Sequence, residues 1–314
     1  MRRRLHGRVH RLIVGSRPRG PDALERRPDS ARRTKLFVVT VATACALCAC
    51  PARDPLAAHH LAAAGDTAGL QRLLRAGYPI DARSSDGVTA LMIAASYDRA
   101  DTLRFLLSAG GDPLAVDEDG KTALQLAAMF GASPRVLQVL LDAGLPIDGV
   151  DRSGRTPLGL AAMADHIEPA RYLLSQGGDP HGARGQRRTP LLLAASHGAH
   201  MTTLLLGADP GGWAPDELRA PLIRAAAFDR ADTIEVLLEA GAPIDGQDDR
   251  TGGTALHAAA GANAWNAIRS LLDGGADPQV RDRKGQTPIE LAREMGDTEA
   301  ARLLESEGPR PTKH

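Results

Sequence analysis

The chain has 314 residues, a formal net charge of zero and only 3% aromatic residues, which fits thin helices packed through Ala and Leu better than a deep globular core. The zero total hides a division: residues 1–50 carry 12 Lys and Arg against 3 Asp and Glu, whereas residues 51–314 carry 26 against 35. The acidic larger part disfavours a nucleic-acid partner, because contacts to phosphates require a basic surface.

Residues 1–35 are rich in Arg, poor in apolar residues and interrupted by Pro18, Pro21 and Pro28. A segment of this composition buries too little apolar surface to offset the entropy of folding. We therefore expect a disordered leader, or a start codon assigned too far upstream. The stretch Ser30-Ala31-Arg32-Arg33 also allows a twin-arginine export signal as an alternative.

Residues 36–50 have the layout of an export signal. An apolar run over residues 36–47 follows Arg32, Arg33 and Lys35, and it is shorter than the ~20 residues of a membrane-spanning helix. The next residues, Leu47-Cys48-Ala49-Cys50, resemble the lipobox of bacterial lipoproteins, with Cys48 where Ala or Ser is more usual.

That resemblance implies that the Cys50 thiol takes a diacylglycerol by a thioether bond and becomes the first mature residue. The mature protein would then be a membrane-anchored lipoprotein of the bacterial cell envelope that faces the periplasm. Two alternatives stay open, a cleaved signal with a soluble periplasmic or secreted product, and an uncleaved anchor. The three cysteines all lie within residues 45–50, so the rest of the chain cannot contain a disulfide framework.

Residues 117–150 contain the pattern that the rest of the chain repeats. Gly120 fits a tight turn, Thr122 stands where a helix N-cap belongs, and Gly144 fits the glycine that ends a second helix. The apolar positions between them follow helical spacing: Leu124, Ala127, Ala128, Leu137, Leu140 and Leu141. Helices this short are marginal alone in water, so they need neighbours of the same kind.

Equivalents of Thr122 recur at intervals of 31 to 34 residues, namely Thr89, Thr156, Thr189, Ala220, Thr254 and Thr287. A fixed period near 33 with T-[AP]-L-x-x-A-A and then L-L-x-x-G indicates a stacked helical array. The segments Thr156-Pro157-Leu158, Thr189-Pro190-Leu191, Thr254-Ala255-Leu256-His257 and Thr287-Pro288-Ile289 resemble the signature of ankyrin-repeat proteins.

The resemblance implies an all-α ankyrin-repeat solenoid of helix-turn-helix units joined by β-hairpin fingers. It assigns residues 51–308 to about seven repeats after a degenerate first unit, and residues 309–314 to a disordered tail. The signature His is expected only at His257, so cohesion should come from Leu and Ala packing. An irregularity is predicted in unit 184–214, whose second helix, His200–Leu206, is about two residues short.

Candidate partner-binding residues lie where the first helix of each unit ends. In the family these positions line the concave groove, and aromatic and Met side chains there are typical anchors of a binding surface. An alternative is that they only pack against the next unit. The candidates are Tyr97, Met129, Phe130, Met163, His197 and Phe228, together with Trp213 in an unusual Gly-Gly-Trp finger.

No catalytic motif is present, and we expect no metal, cofactor or small-molecule substrate. His197 and His200 lack a third ligand, and Asp117–Gly120 lacks the later Glu of a calcium loop. The sequence therefore predicts a non-catalytic module that binds a protein partner, such as a scaffold for envelope or stress-defence enzymes. The alternatives are an immunity protein that neutralises a periplasmic toxin and, from another class, an enzyme built on the repeat surface.

Overall fold

The computed structural model describes residues 56–183 and 185–306, and the segments that carry the expected leader, signal, Cys50 and tail lie outside the described residues. Within these two ranges the chain forms sixteen helices and no strand. The helices come in eight pairs, numbered here as units 1 to 8, so each unit contributes one first helix and one second helix. The predicted all-α solenoid of stacked helix pairs is confirmed.

The first helices are α1 (Ala57–Ala64), α3 (Ala90–Ser96), α5 (Ala123–Met129), α7 (Pro157–Met163), α9 (Pro190–Ala194), α11 (Pro215–Ala227), α13 (Ala255–Ala262) and α15 (Pro288–Glu294). The second helices are α2 (Thr67–Arg75), α4 (Ala100–Ser108), α6 (Pro134–Asp142), α8 (Ile167–Ser175), α10 (Ala199–Leu206), α12 (Ala231–Glu239), α14 (Trp265–Asp273) and α16 (Thr298–Ser306). Each helix packs on its unit partner and on the equivalent helices of the neighbouring units.

The predicted Thr caps begin the first helices. The Thr122 hydroxyl accepts from Gln125 N, and Gln125 Oε1 accepts from Thr122 N at 2.8 Å, which completes a capping box. Gly120 and Gly144 have φ of 79° and 87°, the left-handed values expected of them. The same hydroxyl cap occurs at Thr89, Thr156, Thr189, Thr254 and Thr287.

The core is a continuous Leu and Ala layer between the two sets of helices. Leu124, Leu137 and Leu140 are fully buried in unit 3, and so are Leu103, Leu158 and Leu173 in its neighbours. Because each unit buries its apolar face against the next one, none of these short helices depends on its own propensity. The expected cohesion through Leu and Ala packing is confirmed.

Polar bonds between units are more frequent than we predicted. His257 receives Thr254 N at 3.1 Å on Nδ1 and places Nε2 3.0 Å from the Gln286 carbonyl in the next unit. Gln125 makes the equivalent bond from unit 3 to unit 4, because its Nε2 donates to the Arg155 carbonyl at 2.9 Å. The expectation that the signature His survives only at His257 was wrong, since His59 in unit 1 reaches the Val88 carbonyl at 2.7 Å.

The expected β-hairpin fingers are tight turns without strands in the described part of the chain. Each turn is closed by a short-range bond such as Asp117 N to Lys121 O at 3.0 Å. Successive turns such as those at Asp119 and Arg152 share one backbone–backbone bond, Arg152 N to Asp119 O at 3.0 Å. A single bond between neighbours is too few for a β-ladder, which explains the difference from the prediction.

The predicted irregularity lies at units 5 and 6, but its form differs. The second helix α10 has 8 residues where the other second helices have 9, so it is short as predicted, by one residue. The larger loss is in the first helix α9, which has 5 residues where the others have at least 7. Ala220 is not an N-cap, because α11 starts at Pro215 and continues for 13 residues with Pro221 inside it. Alanine has no side-chain acceptor, and the helix start moves to where Glu217 Oε2 accepts from Ala214 N at 2.9 Å.

Candidate functional site

The candidate site is the edge of the array where each first helix turns into its second helix. The residue that caps the end of the first helix is equivalent in five units, and we call this set the helix-end row: Tyr97, Phe130, Ala164, Phe228 and Met295. The residue after it adopts a left-handed φ in most units, either as Gly or as Asp98, Asp165, Asp229 and Asn263. This backbone turn directs the row toward the edge.

Accessibility differs among the predicted binding residues. Phe228 is 45% exposed and Met295 is 59% exposed, whereas Tyr97, Phe130 and Met163 are half-buried. Met129 is only 5% exposed, so its predicted place in an open groove was wrong. It is the last residue of α5, and the equivalent Ser96 is buried as well, whereas the equivalent Met163 at the end of α7 is half-buried.

Two further candidates lie away from the row. His197 is exposed, but α9 ends early and leaves it in the turn beyond the helix cap. Trp213 is half-buried before α11, where its ring stacks on His181 with centroids 4.1 Å apart. The structure therefore brings Tyr97, Phe130 and Phe228 to equivalent places and sets His197 and Trp213 apart.

Sequence reasoning missed Trp265, the first residue of α14. Its side chain is 48% exposed and its Nε1 donates to Asp297 Oδ2 at 3.0 Å in the next unit. It lies on the same edge, in the unit between those of Phe228 and Met295. Its position in the repeat could have indicated it, because Trp265 is the first residue of a second helix and the equivalent residue in unit 6 is the small Ala231.

The edge is held together by carboxylates that connect consecutive units. Asp229 accepts from Ala267 N and from Asn266 Nδ2, both at 2.8 Å, and so caps the N-terminus of α14. Asp98 accepts from Ser133 N at 2.8 Å at the start of α6. Trp265 is the main cause that lowers the pKa of Asp297, because its N–H stabilises the charged carboxylate.

Charged groups in the turns are paired internally. Lys121 is fully buried, with Nζ 2.5 Å from Asp119 and 3.6 Å from Asp117, and Arg155 Nη2 lies 2.7 Å from Asp151. Burial raises the pKa of Asp117 although Lys121 opposes this. These carboxylates already have a cation, so the segment that resembled a calcium loop is a salt-bridged turn.

No group of His, Cys, Asp and Glu in residues 56–183 and 185–306 is arranged to hold a metal ion. His200 instead lines a shallow depression with Arg171 and Leu204 on the second-helix side. None of the helices described between residues 56 and 306 combines the length and the apolar character needed to cross a membrane.

The repeated helix pairs, Thr caps and inter-unit bonds define a helical repeat protein whose accessible side chains lie on an edge between layers. The family described as "Ankyrin repeats (3 copies)" matches residues 56–151, 104–184, 130–212 and 222–313. These matches cover most of the chain, and the chain belongs to the ankyrin-repeat family. The family is generally non-enzymatic and points to a protein–protein interaction module.

Several curated proteins are similar to this chain over its repeats. The B-cell lymphoma 3 protein homolog of Mus musculus is 28% identical over 217 residues, which are 68% of this chain and 42% of that protein. Ankyrin repeat protein nuc-2 of Neurospora crassa is 29% identical over 76% of this chain and 23% of its own length. The Mitochondrial disaggregase of Bos taurus is 30% identical over 42% of this chain and 20% of its own length. The chain thus spans less than half the length of these relatives.

Proposed function

We propose that this chain is a non-catalytic protein-binding module that a lipid on Cys50 holds at the bacterial cell envelope, facing the periplasm. The partner contacts the helix-end row, in which Phe228 is the most exposed aromatic, and a second, separate place, the turn that carries Trp213. No nucleic acid, cofactor or small-molecule substrate takes part. The proposal concerns the repeats and the export signal together, so each part has its own test.

The observation that supports partner binding is the apolar exposure at one repeated position. Ala164 caps α7 in unit 4 at the position that Phe228 occupies in unit 6, so packing within the array does not require a large side chain there. Phe228 nevertheless leaves 45% of its surface exposed, with the Arg224 guanidinium 5.2 Å from its ring centroid. An aromatic ring next to an Arg is a frequent anchor of protein interfaces.

The partner is tested by site-specific photo-crosslinking in cells. A crosslinking residue placed at Phe228 is expected to capture one protein from detergent-solubilised envelopes, identified by mass spectrometry. The matched control carries the same residue at Glu235, which is exposed on the second helix of the same unit. Capture from both positions alike, or from neither, would remove the helix-end row from the binding surface.

The anchor is supported by the basic residues before position 36, the apolar run over residues 36–47 and the lipobox-like Leu47–Cys50. Two or three acyl chains on Cys50 bind a membrane firmly, whereas one binds it weakly. Intact-mass analysis of the membrane fraction is expected to find a lipidated N-terminal Cys50, and Cys50→Ala is expected to abolish the modification. An unlipidated mature protein in the periplasm would favour the soluble alternative.

The immunity alternative uses the same binding surface and differs in the partner. It predicts that the captured protein is a toxin encoded by a neighbouring gene. Cells that lack this chain would then be sensitive to that toxin, and complementation with Phe228→Ala would protect them less than the unaltered chain. Capture of an envelope enzyme, with no change in toxin sensitivity, supports a scaffold.

A further inference from the structure

His181 is placed where units 4, 5 and 6 meet, at the irregular part of the array. Its Nε2 lies 3.0 Å from Asp209 Oδ2 in the turn after α10, and its Nδ1 lies 3.1 Å from Glu217 Oε1 in the first turn of α11. The ring also stacks on Trp213 at 4.1 Å with an interplanar angle of 32°. One imidazole therefore connects its own turn to the turn after α10 and to the first turn of α11.

The number of protons on the ring decides how many of these bonds form. A neutral imidazole has one N–H, whereas an ionised carboxylate can only accept. Both ring nitrogens face carboxylate oxygens, so only the doubly protonated imidazolium can donate to both. Loss of one proton leaves a lone pair facing a carboxylate and replaces an attractive contact by a repulsive one.

The remaining charged groups near His181 do not replace it. Arg219 on α11 is directed away, with Nη2 3.1 Å from Asp249 Oδ2 and Nη1 3.8 Å from Asp216 Oδ1. Among the charged groups on the packed elements, Asp179 accepts the His181 backbone N–H at 2.9 Å, and Asp209 and Glu217 contact the ring. The segment after His181 also carries Arg187 and Arg188, and Arg224 on α11 lies over the Phe228 ring. Asp209 and Glu217, the charged side chains hydrogen-bonded to the His181 ring, are therefore both carboxylates.

We propose that His181 is a pH-operated clamp that holds residues 207–214, including Trp213, when protonated and releases them when deprotonated. The Trp213 ring stacks on His181, and its buried Nε1 has no hydrogen-bond partner within the described residues, so release of the stack breaks no hydrogen bond of the indole. The clamp concerns the conformation of this chain and does not depend on the partner proposed above.

The direction of the transition follows from the contacts. Burial lowers the pKa of His181, but the Asp209 hydrogen bond and the Glu217 charge outweigh it and raise the pKa above the ordinary value of about 6.5. Gly211 N–H and then His181 lower the pKa of Asp209, so this carboxylate stays ionised in mildly acidic solution. The clamp is therefore closed in mild acid and opens as the pH rises through the folded pKa of His181.

The test uses fluorescence, because the chain has only two tryptophans and Trp265→Phe leaves Trp213 as the single reporter. Acrylamide quenching of Trp213 from pH 5 to pH 9 is expected to increase in one step with a midpoint above 6.5. In the same background His181→Gln should remove the step. The control His200→Gln, at an exposed position on α10, should keep it. Far-UV circular dichroism checks that the helices are unchanged.

A flat quenching curve in the Trp265→Phe protein, or a step that survives His181→Gln, would overturn the clamp. If His181→Gln fails to fold, Glu217→Gln replaces it. The amide can donate to the deprotonated ring nitrogen, so the step should become smaller, and the loss of one carboxylate should lower its midpoint. A midpoint that does not move in Glu217→Gln would overturn the clamp as well.

Discussion

Asp229 offers the sharpest test of how consecutive units are joined. It has φ of 56°, a left-handed conformation that costs an L-residue with a Cβ about 1 kcal/mol. Its carboxylate accepts from Ala267 N and Asn266 Nδ2, both at 2.8 Å. Asp229 therefore adopts an unfavourable backbone conformation in unit 6, and its carboxylate caps α14 in unit 7.

The magnitude follows from these two opposing effects. Removal of a side-chain cap costs about 1 kcal/mol, with a range of 0.5–2. Asp229→Ala keeps the left-handed strain and loses the cap, so we expect it to lower the free energy of unfolding by about 1–2 kcal/mol. Asp229→Gly loses the same cap but relieves the strain, so we expect a change of about 0–1 kcal/mol.

Asp165 is the matched control, because it has the same φ of 56° at the equivalent position in unit 4. No side-chain hydrogen bond of Asp165 is formed within residues 56–183 and 185–306. Asp165→Gly should therefore raise the free energy of unfolding by about 0.5–1 kcal/mol. Urea unfolding at constant m value measures all three variants. If Asp229→Gly stabilises as much as Asp165→Gly, the bonds to α14 contribute nothing and the reasoning fails.

Three further predictions test the core, the edge and the clamp. Gln125→Ala removes the side-chain donor to the Gly149 and Arg155 carbonyls and the acceptor of Thr122 N, although Asp151 N still donates to Arg155 O. It should cost about 1–3 kcal/mol in urea unfolding, while Gln125→His, which copies His257, should keep most of the stability. Equal losses would show that the bond to the next unit is unimportant. Met129→Ala should lower the free energy of unfolding by about 2–4 kcal/mol, because it leaves a cavity. Phe228→Ala should lower it by less than about 1 kcal/mol, because that ring is half exposed. A larger loss in Phe228→Ala, measured by urea unfolding, would contradict the burial of the two side chains. The stability contributed by His181 is complete below its unfolded pKa of about 6.5 and is lost as the pH rises through its raised folded pKa. The free energy of unfolding should therefore fall relative to His181→Gln as the pH rises above about 6.5, and parallel curves would contradict this.

The sequence was sufficient for the regular parts of the fold because they depend on local chemistry. A Thr hydroxyl caps the helix that follows it, and a glycine such as Gly144 allows the left-handed turn that ends a helix. Both signals act within a few residues. Their repetition at a period near 33 predicted the helix pairs and therefore the stack.

The differences arose where contacts between units decide the structure. His59 was missed because Leu56 gives unit 1 no Thr cap, although His59 makes the inter-unit bond of a signature His. Met129 was expected in the open groove, but it is 5% exposed, and the repeat pattern does not distinguish it from the half-buried Met163 at the equivalent position. The start of α11 was misplaced because Ala220-Pro221 imitates Thr-Pro without supplying an acceptor.

The repeat position of the candidate site could be predicted from the sequence, but not all of the exposed residues that form it. Phe228, Tyr97 and Phe130 lie at the repeated position that the pattern indicated, and their role in binding stays a prediction. Trp265 and Met295 complete the exposed edge of units 6 to 8.

The measurement that tests the central claim most directly is the affinity of the partner captured at Phe228 for purified variants of the repeats. We expect Phe228→Ala and Met295→Ala each to weaken binding about tenfold or more, and Glu235→Ala to leave it unchanged, with all three variants as stable as the unaltered chain within about 1 kcal/mol. Unchanged affinity in both row variants, together with a loss in Glu235→Ala, would place the binding surface on the second helices and contradict the account.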